Sequence, residues 1–153
     1  MQITRATDYA VRVIVHLATL PPDHTAPLGE LAEATSVRDN FLSKILQRLV
    51  RNGLLSSHRG TGGGFRLSVA PERLTLLQVV EAIEGKIALN ICLGDWQSCA
   101  LQAQCTAHPV WEKAQAALTQ ELAAVTIAEL AARTIEKSNA LLEEIRSGSD
   151  DKP

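Results

Sequence analysis

All three cysteines of the chain fall in one stretch, ICLGDWQSCALQAQCTAHP, which holds Cys92, Cys99 and Cys105 with His108 just beyond them. Six residues separate the first pair and five the second, which fits neither a helical nor a strand period, and the intervening Gly94, Asp95 and glutamines mark a loop. Thiolates gathered in a loop suit a soft metal ion or an iron–sulfur cluster. Cysteines that serve as small buried hydrophobes belong on a periodic face. Structural zinc usually shows a Cys-x2-4-Cys pair, which this stretch lacks, so zinc or an empty loop is the runner-up. A reactive redox thiol is a further alternative. As an enzyme the chain would use Cys99 or Cys105 as nucleophile with His108 as base, but no oxyanion-hole motif accompanies them, and the chain is read as a non-enzyme.

The elements that position this loop follow from the rest of the pattern. With 153 residues, 46% of them hydrophobic, the chain can bury one ordinary core. The apolar run from Ala10 to Ala18 is broken by Arg12 and His16, so neither a signal peptide nor a membrane span is expected, and a cytoplasmic location is the default. Ala10, Val13, Ile14, Leu17 and Ala18 recur at helical spacing before Pro21-Pro22, which predicts a first helix over about 7–20. PLGELAEA, residues 27–34, reads as a short second helix. RDNFLSKILQRLVRN reads as a third, with Leu42, Ile45, Leu46 and Leu49 on one stripe and Gly53 as its stop. Two strand-like runs, LLSSHR and FRLSV, flank Gly60-Thr61-Gly62-Gly63-Gly64 and predict a hairpin with a glycine-rich tip.

Thr75 and Gln78 have capping-box spacing and open a helix over about 76–84. Beyond the cysteines, Pro109 suits the first position of a helix striped by Trp111, Ala114, Leu118, Leu122 and Val125. Thr126 and Glu129 repeat the capping-box spacing and start a final helix toward Ile145, while SGSDDKP reads as a disordered tail.

The net charge of −2 hides an asymmetry. From Arg38 to Arg66 six basic residues stand against one acid, whereas from Pro71 onward seven basic residues stand against twelve acidic ones. A basic middle suits a polyanion. Three helices followed by a basic, glycine-tipped hairpin are the order of a winged helix, whose third helix enters the major groove of DNA. The outer face of that helix carries Arg38, Asn40, Ser43, Lys44, Gln47 and Arg51 as donors to bases and phosphates. In the wing, Gly60, Gly62 and Gly63 allow positive φ and close approach to a sugar-phosphate rail, and Arg59 and Arg66 suit a narrow minor groove. A nucleotide-binding phosphate loop is the competing sense of the glycines, but no Gly-Lys-Ser/Thr follows them and no helix starts there.

Taken together, MQITRATDYAVR, SKILQRLVRNGLLSSHRGTGGGFRL, LTLLQVVEAIEG, the three cysteines and HPVWEKAQAAL resemble the IscR/NsrR/RirA family of bacterial transcriptional regulators, from Met1 to about Leu130. The resemblance implies a homodimeric winged-helix repressor on a palindromic double-stranded operator, with a long helix from near Pro109 crossing to the partner subunit. It implies that Cys92, Cys99 and Cys105 ligate a [2Fe-2S] or [4Fe-4S] cluster. The fourth ligand is either His108, as in IscR-like members, or Asp8 supplied by the other subunit, as in NsrR-like members. Arg38 departs from the family's frequent serine cap on the recognition helix.

The fold expected is mainly α. A winged helix-turn-helix with a β-hairpin wing occupies 1–85, a cluster-binding loop 86–108, long C-terminal dimerisation helices 109–146 and a tail 147–153. The expected function is DNA binding governed by a cluster that senses nitric oxide, iron or redox status. The alternative is a winged-helix regulator with zinc or no metal in the loop.

Overall fold

Three helices, a hairpin and three further helices succeed one another in the computed structural model, which describes residues 3–94, 99 and 104–149. Residues 95–98 and 100–103 of the cysteine loop and 150–153 of the expected tail lie outside the described residues. The first unit comprises α1 (Arg5–Thr19), α2 (Leu28–Thr35), α3 (Asp39–Arg51), β1 (Leu55–His58), β2 (Gly64–Leu67) and α4 (Leu76–Glu84). A 3-10 turn covers Ile91–Leu93, and α5 (His108–Ala124) and α6 (Ile127–Ser149) follow. No helix among the described residues is long and apolar enough to cross a membrane.

The amphipathic stripe of α3 sets its orientation. Leu42, Ile45, Leu46 and Leu49 are at most 2% exposed, and each such burial contributes about 2 kcal/mol. The helix ends in a Schellman motif: Gly53 takes φ +73, its N–H donates to the Val50 carbonyl, and the Leu54 N–H donates to that of Leu49. Between α2 and α3 the chain turns through Ser36, a non-glycine residue at φ +56.

The hairpin is antiparallel, in the register Leu55↔Leu67, Ser56↔Arg66, Ser57↔Phe65, His58↔Gly64. Ala26, just before α2, pairs with Phe65 through two backbone hydrogen bonds of 2.9 Å. The wing is therefore fastened to the helix-turn-helix as well as to its own strands.

Both capping boxes form. Thr75 Oγ1 accepts from Gln78 N and Thr126 Oγ1 from Glu129 N, and each partner side chain accepts from the cap's own N–H. The two boxes also meet, since Leu76 N donates to Val125 O at 2.9 Å and Ile127 N to Leu74 O at 2.8 Å. Ile127 is wholly buried in one core with Ile14, Leu46, Leu74 and Ile83, and α6 runs on along α1.

Glu84, the last residue of α4, accepts on Oε1 from Thr4 N, Thr4 Oγ1 and Thr7 Oγ1, tying the start of α1 to the end of α4. Burial pushes the Glu84 carboxyl up, but the hydrogen bonds from Thr7 and Thr4 and the charge of Arg48 together outweigh it and hold it below its ordinary 4.5.

Three expectations change. The helix placed from Pro109 starts at His108, with Pro109 in its first turn, and no residue of its apolar stripe is fully buried. Trp111 is 42% exposed. The tail expected from residue 147 is helical as far as Ser149, because a helix already nucleated extends at little cost per residue. The first helix begins at Arg5 and stops at Thr19, somewhat earlier than its apolar spacing predicts.

Candidate nucleic-acid interface and metal-binding loop

Because the stripe of α3 is buried, its opposite face is turned outward, and Arg38, Asn40, Lys44, Gln47 and Arg51 are all exposed. Arg38 stands at the N-cap without a side-chain capping bond. Ser43 is half-buried and its hydroxyl donates to the Asp39 carbonyl at 2.8 Å. Arg51 Nε donates to the Gln47 carbonyl at 3.4 Å, which lays the guanidinium along the helix. Gln47 and Arg51 meet the wing across a groove of about 620 Å³, whose other wall holds His58, Arg59 and Gly63 above an apolar floor of Val50 and Phe65. Among the described residues Lys44, Arg51 and Arg59 form no ion pair, so their charge is not already neutralised by an acid.

At the wing tip Gly60 and Gly62 take φ +100 and +78, the left-handed region that glycine enters at no steric cost. Arg66 does not share the groove with Arg59. Successive side chains on a strand point to opposite faces, and since Phe65 floors the groove, Arg66 is turned away to line a separate cavity with Pro21, Pro22 and His24. Ser57 is a groove residue that the sequence reading did not single out; it stands opposite Phe65, so strand alternation finds it once the register is known, whereas His58 lines the groove although its ring turns to Ser56 Oγ at 3.4 Å on the other face.

The candidate metal ligands divide into two places. Cys92 sits half-buried in the 3-10 turn, Cys105 is half-buried just before α5, Cys99 is exposed, and all three are free thiols. The His108 N–H donates to the Cys105 carbonyl at 3.3 Å, so one turn of chain joins those two. Cys92 and His108 line one cavity of about 340 Å³, together with Glu112 and Gln115. Gln115 Oε1 also accepts from Leu89 N at 3.0 Å, which pins the segment bearing Cys92 to α5. Asp8 lies elsewhere, exposed on α1 and paired with Arg12 at 2.8 Å. Among the described residues no three His, Cys, Asp or Glu side chains are already grouped to hold a metal ion. Glu112 and Gln115 are further residues the sequence reading passed over, and their helical spacing from His108 was the available signal.

A helix-turn-helix with a basic outer face, a glycine-tipped hairpin fastened beside it and a thiol-bearing segment behind it define a winged-helix DNA-binding regulator. The chain belongs to the Rrf2 family of iron-dependent transcriptional regulators, whose family model matches residues 3–133. It is 30% identical over 131 residues to the HTH-type transcriptional regulator NsrR of Shouchella clausii, covering 85% of this chain and 88% of that one. It is 28% identical over 130 residues to IscR of Xenorhabdus nematophila, covering 85% and 79%. In fold it is similar to CymR, the global cysteine regulator of B. subtilis, with a TM-score of 0.72 at 22% identity over 87% of this chain and 98% of that one. It is also similar to T. potens IscR, with a TM-score of 0.67 at 20% identity over 88% of each chain. Like its named relatives, the chain is a DNA-binding transcriptional regulator rather than an enzyme.

Proposed function

We propose that this regulator is a homodimeric repressor whose grip on a palindromic operator is set by an iron–sulfur cluster held by Cys92, Cys99, Cys105 and His108. The observation that carries this reading is the meeting of Cys92 and His108 at one cavity, with Cys105 a single turn from His108. Free thiols beside an imidazole are a donor set suited to iron and sulfide. Of the two candidates for the fourth position, His108 is favoured, because it lines one cavity with Cys92. Once bound, the cluster supplies a centre that nitric oxide, oxidants or iron shortage can alter.

The chain's own residues would transmit that alteration. The loop lies between α4, which packs on α1 and α3, and α5, to which Gln115 pins it. Arg38, Asn40, Ser43, Lys44, Gln47 and Arg51 on α3, with Arg59, Gly60, Gly62 and Gly63 in the wing, would meet DNA. A second copy would cover apolar side chains that this chain leaves exposed, among them Val110, Trp111, Leu141, Leu142 and Ile145. Paired heads must match half-sites about 34 Å apart, so a small change at the loop alters affinity.

The test compares cluster-loaded and cluster-free protein, prepared without oxygen, in a gel shift on its own promoter. The expected result is a large difference in affinity, lost in the Cys92→Ser and His108→Ala variants but kept in Asp8→Asn. Superimposable binding curves overturn cluster control. Stoichiometric zinc in place of iron and labile sulfide supports the alternative, a winged-helix regulator with structural zinc.

A further inference from the structure

Glu112 Oε1 lies 3.3 Å from His108 Nε2, one turn further along α5. The two side chains differ in surroundings, since that of His108 is 13% exposed and that of Glu112 59%. The carboxylate therefore stands on the solvent side of a largely buried ring. His108, Glu112 and Gln115 follow one another at helical i, i+4, i+7 spacing on a single face of α5. All three line the cavity that Cys92 enters, and Gln115 ties the segment of Cys92 to that face.

We propose that Glu112 is a positioning residue for His108, holding the imidazole in the tautomer that carries its proton on Nε2 and so leaving the Nδ1 lone pair as the one presented to iron. This rests on the reading of the loop as a cluster site. The two ring nitrogens of a histidine are chemically distinct, and the partner of one decides the role of the other. A carboxylate behind a ligating imidazole fixes the ring and strengthens it as a donor, and losing such a partner costs about 10–100-fold in metal affinity. Both residues stand on α5, His108 as its first residue and Glu112 one turn further in.

The test has two readouts. In cluster-free protein labelled with 15N in its histidine rings, long-range 1H–15N correlations report the tautomer of His108. The wild type is expected to show the proton on Nε2, Glu112→Ala a mixture of tautomers, and Glu112→Asp a return toward wild type. In loaded protein, competition with an iron chelator is expected to show about 10–100-fold weaker retention for Glu112→Ala, with Glu112→Gln between the two and an altered visible circular dichroism band. Thermal melts of the cluster-free variants are expected to coincide, because Glu112 is mostly exposed. A wild-type proton on Nδ1, or a Glu112→Ala variant matching wild type in both readouts, overturns the role of Glu112 and leaves the cluster reading standing. A wild type that takes up no cluster overturns both.

Discussion

Replacing Gly64 by alanine probes how the wing is held. A methyl carbon there would stand 2.2 Å from the Ala26 carbonyl oxygen, 2.6 Å from its carbon and 2.9 Å from Pro27 N, where real contacts of this kind essentially never fall below 3.0 Å. All three atoms are backbone, so no flexible side chain can yield, and β2 must withdraw by close to an ångström. That withdrawal breaks the two Ala26–Phe65 hydrogen bonds, each of net worth about 0.5–1.5 kcal/mol. With residual overpacking of on the order of 1 kcal/mol, the loss is about 2–4 kcal/mol. For a chain of this size that lowers Tm by about 5–15 °C. Because Arg59 rides on the same hairpin, DNA affinity should fall as well at temperatures where the variant stays folded. Calorimetry and fluorescence anisotropy on an operator fragment measure the two effects. For the melting measurement Gly62→Ala is the control: its methyl meets nothing within 4 Å in the free chain and incurs only the cost of a φ of +78, about 1–2 kcal/mol. If Gly64→Ala melts within a degree or two of wild type, the wing is not held by this contact.

Three more outcomes follow from described contacts. Glu84→Gln should cost about 1 kcal/mol near neutral pH, the difference between charged and neutral acceptors. Because the folded-state pKa of Glu84 is depressed, that difference should be full above the ordinary 4.5 and fade as pH falls through the lower folded value, as denaturant titrations across pH 3–7 would show. Gly29→Ala, in α2 with open space around it, should gain about 0.5–1 kcal/mol in a thermal melt; a loss would mean the position is not an unstrained helical one. Arg59→Ala should reduce the log–log salt slope of DNA binding by about 0.9, whereas Arg66→Ala, on the far face of the hairpin, should leave it unchanged; equal slopes would contradict the division between the two arginines.

Features governed by near neighbours in the chain were legible in advance. The α4 limits at Leu76 and Glu84, both capping boxes, the stripe of α3 and its Gly53 stop are each set within a turn or two of helix, where side chain and backbone answer one another directly. What escaped notice joins distant positions. The Glu84 bonds to Thr4 and Thr7 span about eighty residues, and the Ala26–Phe65 bridge joins the start of α2 to the wing. Neither leaves a local pattern. Arg59 and Arg66 looked alike because their separation depends on register, which a glycine-rich tip does not reveal. At the cysteines the residue types announced the chemistry, but which thiol faces which partner is a tertiary matter, and so the partnership of His108 with Cys92 and Glu112 emerges only when α5 is in place.

Ile127 gives the molecule a particular indivisibility. The first turn of the last helix plugs the hydrophobic interior of the DNA-reading head, so the shaft leading away from that head is rooted inside it rather than hinged to its surface. Cutting the chain ahead of that turn would uncork the head beside Leu74, which makes reader and handle a single piece that must tilt together.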